Sequence, residues 1–477
     1  MKEKYPTLSK PATLLGLFIL LLAGFITIFD LFVVNVAIPS IQGDLGATFS
    51  QVAFIVAGYE LGFAVLLIMG GRLGDRFGRR RLFIVGMLGF TITSALCGLA
   101  VNPDMLIISR VLQGLTAAMM QPQIYSSIRV NFTGRERGIA FSLLGMVLGL
   151  AAIAGQVLGG FIVEADFGGL GWRMIFLINI PIGIFSIILA RFIPESHAPE
   201  RPLLDWSGVI IVSLGLVLFL FPLIESQNHG WTIWSFLSLA ASTLILFGFW
   251  KHQEKRRIAN QQPLIDTILL RQSRFNMGGS LVLLIYSTSS VFFLSYALLV
   301  QTGLGLSPLS SGLLFVPCSI GFTAASMAAP RLVECFGTKT IFGGAVFYTF
   351  SFAVLIGQVW MAGGDLVATH LITALIFVGV GQGLVMTPLL NLVLGFVEEN
   401  KAGMASGIIS TLQQVGAAIG LAAVSILFGG VIANATGGET QSGLYASAFA
   451  SSMFYNLIAS LISAILLWKM AKEQAKQ

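Results

Sequence analysis

The sequence predicts an all-α polytopic membrane protein: fourteen transmembrane helices arranged as two six-helix bundles, with two helices inserted between them and both termini cytoplasmic. Three observations carry this expectation. The composition does not suit water, the apolar runs have membrane-spanning length, and the two halves of the chain share a repeat. Hydrophobic residues fill 56% of the 477 positions and charged residues only 10%, against roughly 25% charged in an ordinary globular domain. So few charges cannot cover a chain of this size in water, and lipid is the solvent the composition fits.

A helix needs about 20 apolar residues to cross the hydrocarbon core. Such runs fall at 12–39, 50–71, 82–101, 104–128, 137–163, 172–194, 207–226, 232–251, 275–300, 309–330, 338–360, 366–393, 403–433 and 443–470. The first is too long for a signal-peptide core and lacks a small-residue cleavage site, so it reads as a retained span. The basic residues test the count independently. With the N-terminus in the cytoplasm, every lysine and arginine except Arg110 and Arg173 falls on the cytoplasmic side, as the positive-inside rule requires. That distribution accounts for the net charge of +6 without any nucleic-acid partner. Cys97, Cys318 and Cys335 have neither metal-ligand nor disulfide spacing, and no metal or cofactor is expected.

The repeat lies in the loops and in one span. Residues 71–80 read GRLGDRFGRR and residues 330–339 read PRLVECFGTK, so that Arg72, Leu73, Phe77 and Gly78 match Arg331, Leu332, Phe336 and Gly337, while Asp75 matches Glu334. Gln113-Gly114 likewise answers to Gln382-Gly383. Two copies of a six-span unit then occupy 1–194 and 275–477, and 195–274 holds the inserted pair, spans 7 and 8, with its flanking loops. Parallel repeats of this kind let a transporter open a midplane site to each side in turn.

Deep inside the spans the sequence places two acids, Asp30 and Glu60, and one base, Arg110. Intramembrane ionisable groups are costly and face a cavity or a partner. At about 1.5 Å per residue, Asp30, Glu60 and Arg110 lie roughly 13, 15 and 9 Å below the outer surface, near one level. One arginine cannot neutralise two carboxylates. Arg110 is expected to pair with Asp30 and keep it ionised, leaving Glu60 to desolvation, which favours a protonated carboxyl. Glu60 would then carry the coupling proton, with Asp30 and Arg110 shaping the site. The plainer alternative is a static buried ion pair joining spans 1 and 4.

Four motifs in order give the chain a family resemblance. They are the loop Gly71-Arg72-Leu73-Gly74-Asp75-Arg76-Phe77-Gly78-Arg79-Arg80, then Asp30 with Val33-Val34-Asn35-Val36-Ala37-Ile38-Pro39 in span 1, Arg110-Val111-Leu112-Gln113-Gly114 in span 4, and Trp172-Arg173 with Phe176, Asn179, Pro181 and Gly183 in span 6. In these the sequence resembles the major facilitator superfamily, specifically its fourteen-span drug:proton antiporters, over nearly its whole length. The resemblance implies the major facilitator fold, with a conformational latch at Gly71, Gly74, Asp75, Arg76 and Gly78 and its repeat partner Glu334. It implies a bundle-interface motif at Gly155, Gln156, Gly159 and Gly160, where Gln156 replaces the family's usual proline. Gly145 and Gly149 add a second small-residue spacing suited to close helix packing. It also implies a substrate cavity walled by spans 1, 4, 9 and 12, for which Asn35, Gln113, Phe292, Phe293, Tyr296, Met386 and Asn391 are the candidates.

These readings converge on proton-coupled efflux of a drug-like, lipophilic cation by a monomer in a bacterial inner membrane. Its partners would be a small-molecule substrate, protons and the bilayer. An exporter or importer of one neutral or anionic metabolite on the same fold is the alternative. An ATP-driven pump is excluded by the absence of a phosphate-binding loop; Gly337-Thr338-Lys339-Thr340 lacks its frame. An enzyme would need clustered functional groups, and the four histidines, at 197, 229, 252 and 370, stand far apart in sequence.

Overall fold

A computed structural model describes residues 11–197, 204–229, 232–259, 261, 263–265, 267–397, 402–435 and 440–474, and no strand occurs among them. Backbone polar groups have no water to bond in hydrocarbon, so helices that satisfy their own are the natural spanning element. They are α1 (Pro11–Leu45), α2 (Phe49–Phe77), α3 (Arg79–Gly98), α4 (Pro103–Asn131), α5 (Gly134–Ala165), α6 (Gly171–Phe192), α7 (Trp206–His229), α8 (Ile233–Ile258), α9 (Ser273–Ala297), α10 (Pro308–Phe336), α11 (Lys339–Ala362), α12 (Ile372–Leu394), α13 (Ala402–Ala433) and α14 (Gln441–Gln474). α6 is segmented, with α-helical stretches Met174–Leu177 and Asn179–Leu189 either side of Ile178. Two helix starts follow the same local chemistry. Asn102 caps α4 by accepting from the Met105 N–H at 2.8 Å, and Ser307 caps α10 by accepting from Ser310, each with proline next.

Thirteen of these segments are long and apolar enough to cross a membrane. The remaining one, α4, has the length but carries Arg110, Gln113, Gln121 and Gln123, all buried. Its polar residues point into the protein, so the fourteenth expected span rests on length rather than on apolarity.

The chain divides into two compact units. The first comprises Met1–Ala47, Phe54–Gly215 and Ile245–Leu264, and the second Thr48–Ala53, Leu216–Leu244 and Ile265–Gln477. Residues of the inserted pair, α7 and α8, fall in both units, Trp206–Gly215 and Ile245–Ile258 in the first and Leu216–Leu244 in the second. Within the first unit α1 packs on α5, and α3 on α4 and α6; within the second α9 packs on α13, and α11 on α12 and α14. The repeat read from loop motifs thus extends to the helix pairings. It extends to close approaches as well. A side chain at Gly62 would put its Cβ 2.4 Å from the Val111 carbonyl oxygen, and one at Gly321 would sit 2.6 Å from that of Ile376. The loop glycines Gly78 and Gly337 adopt φ of 107° and 61°, which other residues rarely do. Gly145 and Gly149, expected to pack a neighbouring helix, have nothing within 4 Å of a would-be Cβ.

α8 exposes large apolar side chains such as Trp234, Leu244 and Phe247, whereas α2 is mostly buried. The C-terminal end of α8 is bonded to Asp205, which caps α7 through the Gly208 N–H at 2.9 Å and is fully buried. It also contacts His252 Nε2 at 3.0 Å and accepts from Gln253 Nε2 at 2.8 Å, with Arg256 Nε 3.4 Å away, all three from the last turns of α8. Gln253 Oε1 then accepts from the Leu264 N–H at 2.7 Å, and Arg72 at the end of α2 donates to the Pro263 carbonyl. Burial pushes the Asp205 carboxyl up, but the bonds from His252, Gln253, Gly208 and Ser207 outweigh it and hold it down at about 2.

Two outcomes follow for stability. Gly62→Val should destabilise the folded protein by about 1–3 kcal/mol while Gly145→Ala leaves it unchanged, read as melting temperature in detergent. Asp205, held below its ordinary value of 3.8, contributes fully above that pH and loses its contribution as pH falls towards about 2. Asp205→Asn should therefore melt earlier than wild type at neutral pH, and the gap should close on strong acidification.

Candidate functional site

The first unit brings together a buried charged node from four helices. Asp30 in α1 is fully enclosed, as are Arg110 and Gln113 in α4, Ser94 in α3 and Asn179 in α6. Arg110 Nη1 donates to Asp30 Oδ2 at 2.5 Å and to Gln113 Oε1 at 2.7 Å, and its Nε donates to the Ile55 carbonyl at 3.3 Å. Asp30 Oδ1 accepts from Gln113 Nε2 at 3.0 Å and from Asn179 Nδ2 at 2.9 Å. The same two amides donate to Ser94 Oγ at 2.7 and 2.9 Å. The guanidinium lies 4.3 Å from the centroid of the Tyr59 ring and 5.7 Å from that of Phe176, a cation–π arrangement that offsets part of its desolvation. Charge and counter-charge are matched, and every donor around the carboxylate favours its ionised form.

Glu60 is 5% exposed but stands apart from this node. Gly58 and Gly62 both lie against α4, and Glu60, two residues from each, is about 200° round the helix from them. The α2 side chain that lies against Arg110 is that of its neighbour Tyr59. The level shared by the three ionisable groups therefore does not bring all three together.

The span 6 motif contains Asn179 and Phe176 but gives neither a role, and Ser94 and Tyr59 lie outside every motif. A polar residue in an apolar run was the available signal for Asn179 and Ser94. The Trp172-Arg173 pair of that motif is explained too: Trp172 Nε1 and Arg173 Nη1 donate to Asp44 at the end of α1, at 3.0 and 2.6 Å.

Asp75 accepts from Arg79 at 2.7 Å, within its own bundle. The Arg79 N–H donates to the Ser196 carbonyl at 2.9 Å, and the Arg80 N–H to Glu195 Oε1 at 3.1 Å, so the turn docks on the segment after α6. Gly74 leaves room for Gln123, whose Oε1 lies 1.9 Å from a would-be Cβ and whose Nε2 donates to the Gly70 carbonyl. Gly71 has ordinary clearance; Arg76 stacks on Phe77, and Glu334 is exposed near the end of α10.

Gly155 and Gly159 fit α5 against α1 inside the first unit, with would-be Cβ atoms 2.9 Å from Phe32 Cβ and 2.6 Å from Val33 Cγ2. Gln156 is buried there, its Nε2 3.5 Å from the Phe32 carbonyl, and Gly160 is buried beside it. Of the residues expected to wall a cavity, Gln113 is a member of the charged node. Phe292 and Tyr296 are at most 2% exposed and pack with Phe293 and Phe315, while the Tyr296 hydroxyl donates to the Ser311 carbonyl at 2.8 Å. In this structure Phe292 and Tyr296 build bundle interior, and Phe293 is half-buried. Asn35 bonds its own helix, Met386 is 9% exposed, and Asn391 is exposed.

The second unit repeats the node without its charges. Gln382 Nε2 donates to Ser289 Oγ at 2.8 Å, where the first unit has Gln113 and Asp30. Asn456 Nδ2, from the last helix of this bundle, donates to the Thr288 carbonyl at 3.0 Å, as Asn179 does to Asp30. The position of Arg110 is taken by Gly379, whose would-be Cβ lies 2.0 Å from the Cys318 carbonyl oxygen. Acid and base are thus missing together.

Long apolar helices in two repeated bundles, one with a matched charge pair in its interior, define a multi-pass membrane transporter rather than an enzyme. The chain belongs to the Major Facilitator Superfamily, whose signature it matches over residues 20–421. It is 37% identical to a probable actinorhodin transporter of Streptomyces coelicolor, over 89% of this chain and 74% of that one. It is 30% identical to a tetracenomycin C resistance and export protein of Streptomyces glaucescens, over 83% and 72%. In fold it is similar to a bacterial homologue of the human lysosomal transporter Spinster, with a TM-score of 0.71 and 14% identity over 97% and 98% of the two chains. Such relatives and its apolar helices make it a multi-pass protein of the bacterial plasma membrane.

Removing one member of a buried ion pair costs about 3–5 kcal/mol, because it strands the other charge. Arg110→Gln should therefore destabilise more than the double variant Asp30→Asn/Arg110→Gln, in a double-mutant cycle on thermal melting.

Proposed function

We propose that this transporter exports drug-like, lipophilic cations in exchange for protons by alternating access, with Glu60 carrying the coupling proton. The observation that carries the reading is the division of charge among the buried acids. Asp30 is neutralised by Arg110 at 2.5 Å, while Glu60 is buried at 5% exposure off that node. Ionising Glu60 makes its surroundings one unit more negative, which favours a cation, and protonating it removes that unit. Competition of proton and cation for one carboxylate is enough to couple them. The loop of Asp75, Arg76 and Arg79 would act as the latch between conformations, and the working unit would be a monomer. Export as the direction is supported by relatives named for resistance and export.

A second reading, export of one specific metabolite, is favoured by relatives that are each named for a single compound. The deciding experiment is efflux of a fluorescent lipophilic cation from proteoliposomes under an imposed pH gradient. Wild type should export it, and Glu60→Gln should lose at least about tenfold of the gradient-driven rate. Gradient-driven export surviving in Glu60→Gln would remove the proton from that residue. No cation export by wild type would favour the single-metabolite reading.

A further inference from the structure

We infer that Asn179 is a positioning residue that holds Asp30 in its ionised state and so leaves Glu60 as the one carboxylate that titrates during transport. The inference rests on the proton-coupled reading above and specifies how many of the two acids buried within the spans, Asp30 and Glu60, take part. It starts from the hydrogen-bond inventory of the Asp30 carboxylate. An ionised carboxylate only accepts, and Asp30 accepts from three directions: Arg110 on Oδ2, and Gln113 and Asn179 on Oδ1. A proton on either oxygen would point at a donor. It would have to break one of these bonds or turn an amide around.

The donors do not serve Asp30 equally. Gln113 is shared: its Oε1 accepts from Arg110 and lies 3.6 Å from Cys97 Sγ, while its Nε2 is divided between Asp30 and Ser94. It is tied to the arginine as much as to the acid. Asn179 has no contact of that kind with Arg110. Its two amide hydrogens go to Asp30 Oδ1 and Ser94 Oγ, both at 2.9 Å, and its own Oδ1 is buried without a hydrogen-bond partner. A buried amide left with an unsatisfied oxygen is oriented by its donors alone, and here the donors face the carboxylate. The oxygen is costly to leave unbonded, and the bonds from its own amide to Asp30 and Ser94 hold the orientation.

The second unit supplies the comparison. Asn456 occupies the corresponding helix and also reaches into the first helix of its bundle, but it donates to a backbone carbonyl where the acid is replaced by Ser289. Its Oδ1 is likewise unsatisfied. The asparagine is thus a shared feature of both bundles, and only in the first is it turned to a titratable group. The other ionisable groups facing Asp30 are Arg110 on α4, Tyr59 on α2 and Cys97 on α3. The charged residues of α5 and α6 sit in their end turns.

The test is the pH dependence of gradient-driven cation efflux in proteoliposomes for wild type, Asn179→Leu, Ser94→Ala and Asn456→Leu. Loss of one charge-assisted hydrogen bond to a carboxylate corresponds to about one to two pH units. Asn179→Leu should therefore add a titration displaced to higher pH by that amount. Ser94→Ala, which loosens Asn179 without touching Asp30, should show a smaller displacement in the same direction. Asn456→Leu should show none, although it disturbs the same kind of helix contact. Equal displacement in all three variants would make Asn179 merely structural and overturn the inference, as would no displacement in any. If Asn179→Leu fails to fold, Ser94→Ala decides alone.

Infrared titration of the purified protein separates this inference from the function it rests on. Asn179→Leu should gain a protonated-carboxyl band that disappears when Asp30→Asn is added, whether or not cation efflux is observed. A band already present in wild type and lost in Asp30→Asn would overturn the inference even if transport is proton-coupled.

Discussion

A buried charge in a membrane protein must be matched where it sits, and the contact between Asp30 and Arg110 is the constraint around which the first bundle is organised. Neither group can be left alone in hydrocarbon. Their requirement for each other draws α1 to α4, and their remaining bonding capacity draws in Ser94 from α3 and Asn179 from α6. Four helices are thereby fixed at one level by polar contacts in a bundle otherwise packed through residues such as Phe83, Phe90, Met120 and Ile124. α4 carries so many of these polar groups that it alone fails to look like a span by composition.

The second bundle shows what the same architecture looks like when the charges are absent. Its amides persist at Gln382 and Asn456, but they bond a hydroxyl and a backbone carbonyl. The place of the arginine is closed by the approach of Gly379 to the α10 backbone. Acid and base are absent there as a pair, and either alone would be a stranded charge. This asymmetry between the repeats confines the matched pair to one bundle.

The inserted helices have a different logic. α8 presents Trp234, Leu244 and Phe247 outward, as a helix bathed in lipid should. The part of α8 that belongs to the first unit supplies donors to Asp205, and Arg72 bonds Pro263 in the segment that follows. Arg72 belongs to the loop motif that carries the family resemblance. The motif is therefore bonded on two sides, to the segment after α6 through Glu195 and Ser196 and to the segment after α8 through Pro263.

Composition, span length, the side preference of basic residues and the repeat were all legible in the sequence, because each depends on the solvent or on local spacing. The pairing of Asp30 with Arg110 was foreseeable for the same reason: two opposite charges at one depth in lipid leave few other arrangements. What only the tertiary structure decided is where side chains point around their helices. Depth along a helix placed Glu60 beside that pair, but rotation about the α2 axis sends Tyr59 to Arg110 and Glu60 away from α4. Rotation likewise put Phe292 and Tyr296 into the bundle interior, left Gly145 and Gly149 facing open space, and turned Asn179 onto the carboxylate. Sequence spacing fixes how far along a helix a residue lies; its azimuth relative to other helices depends on how those helices pack, and no local signal records it.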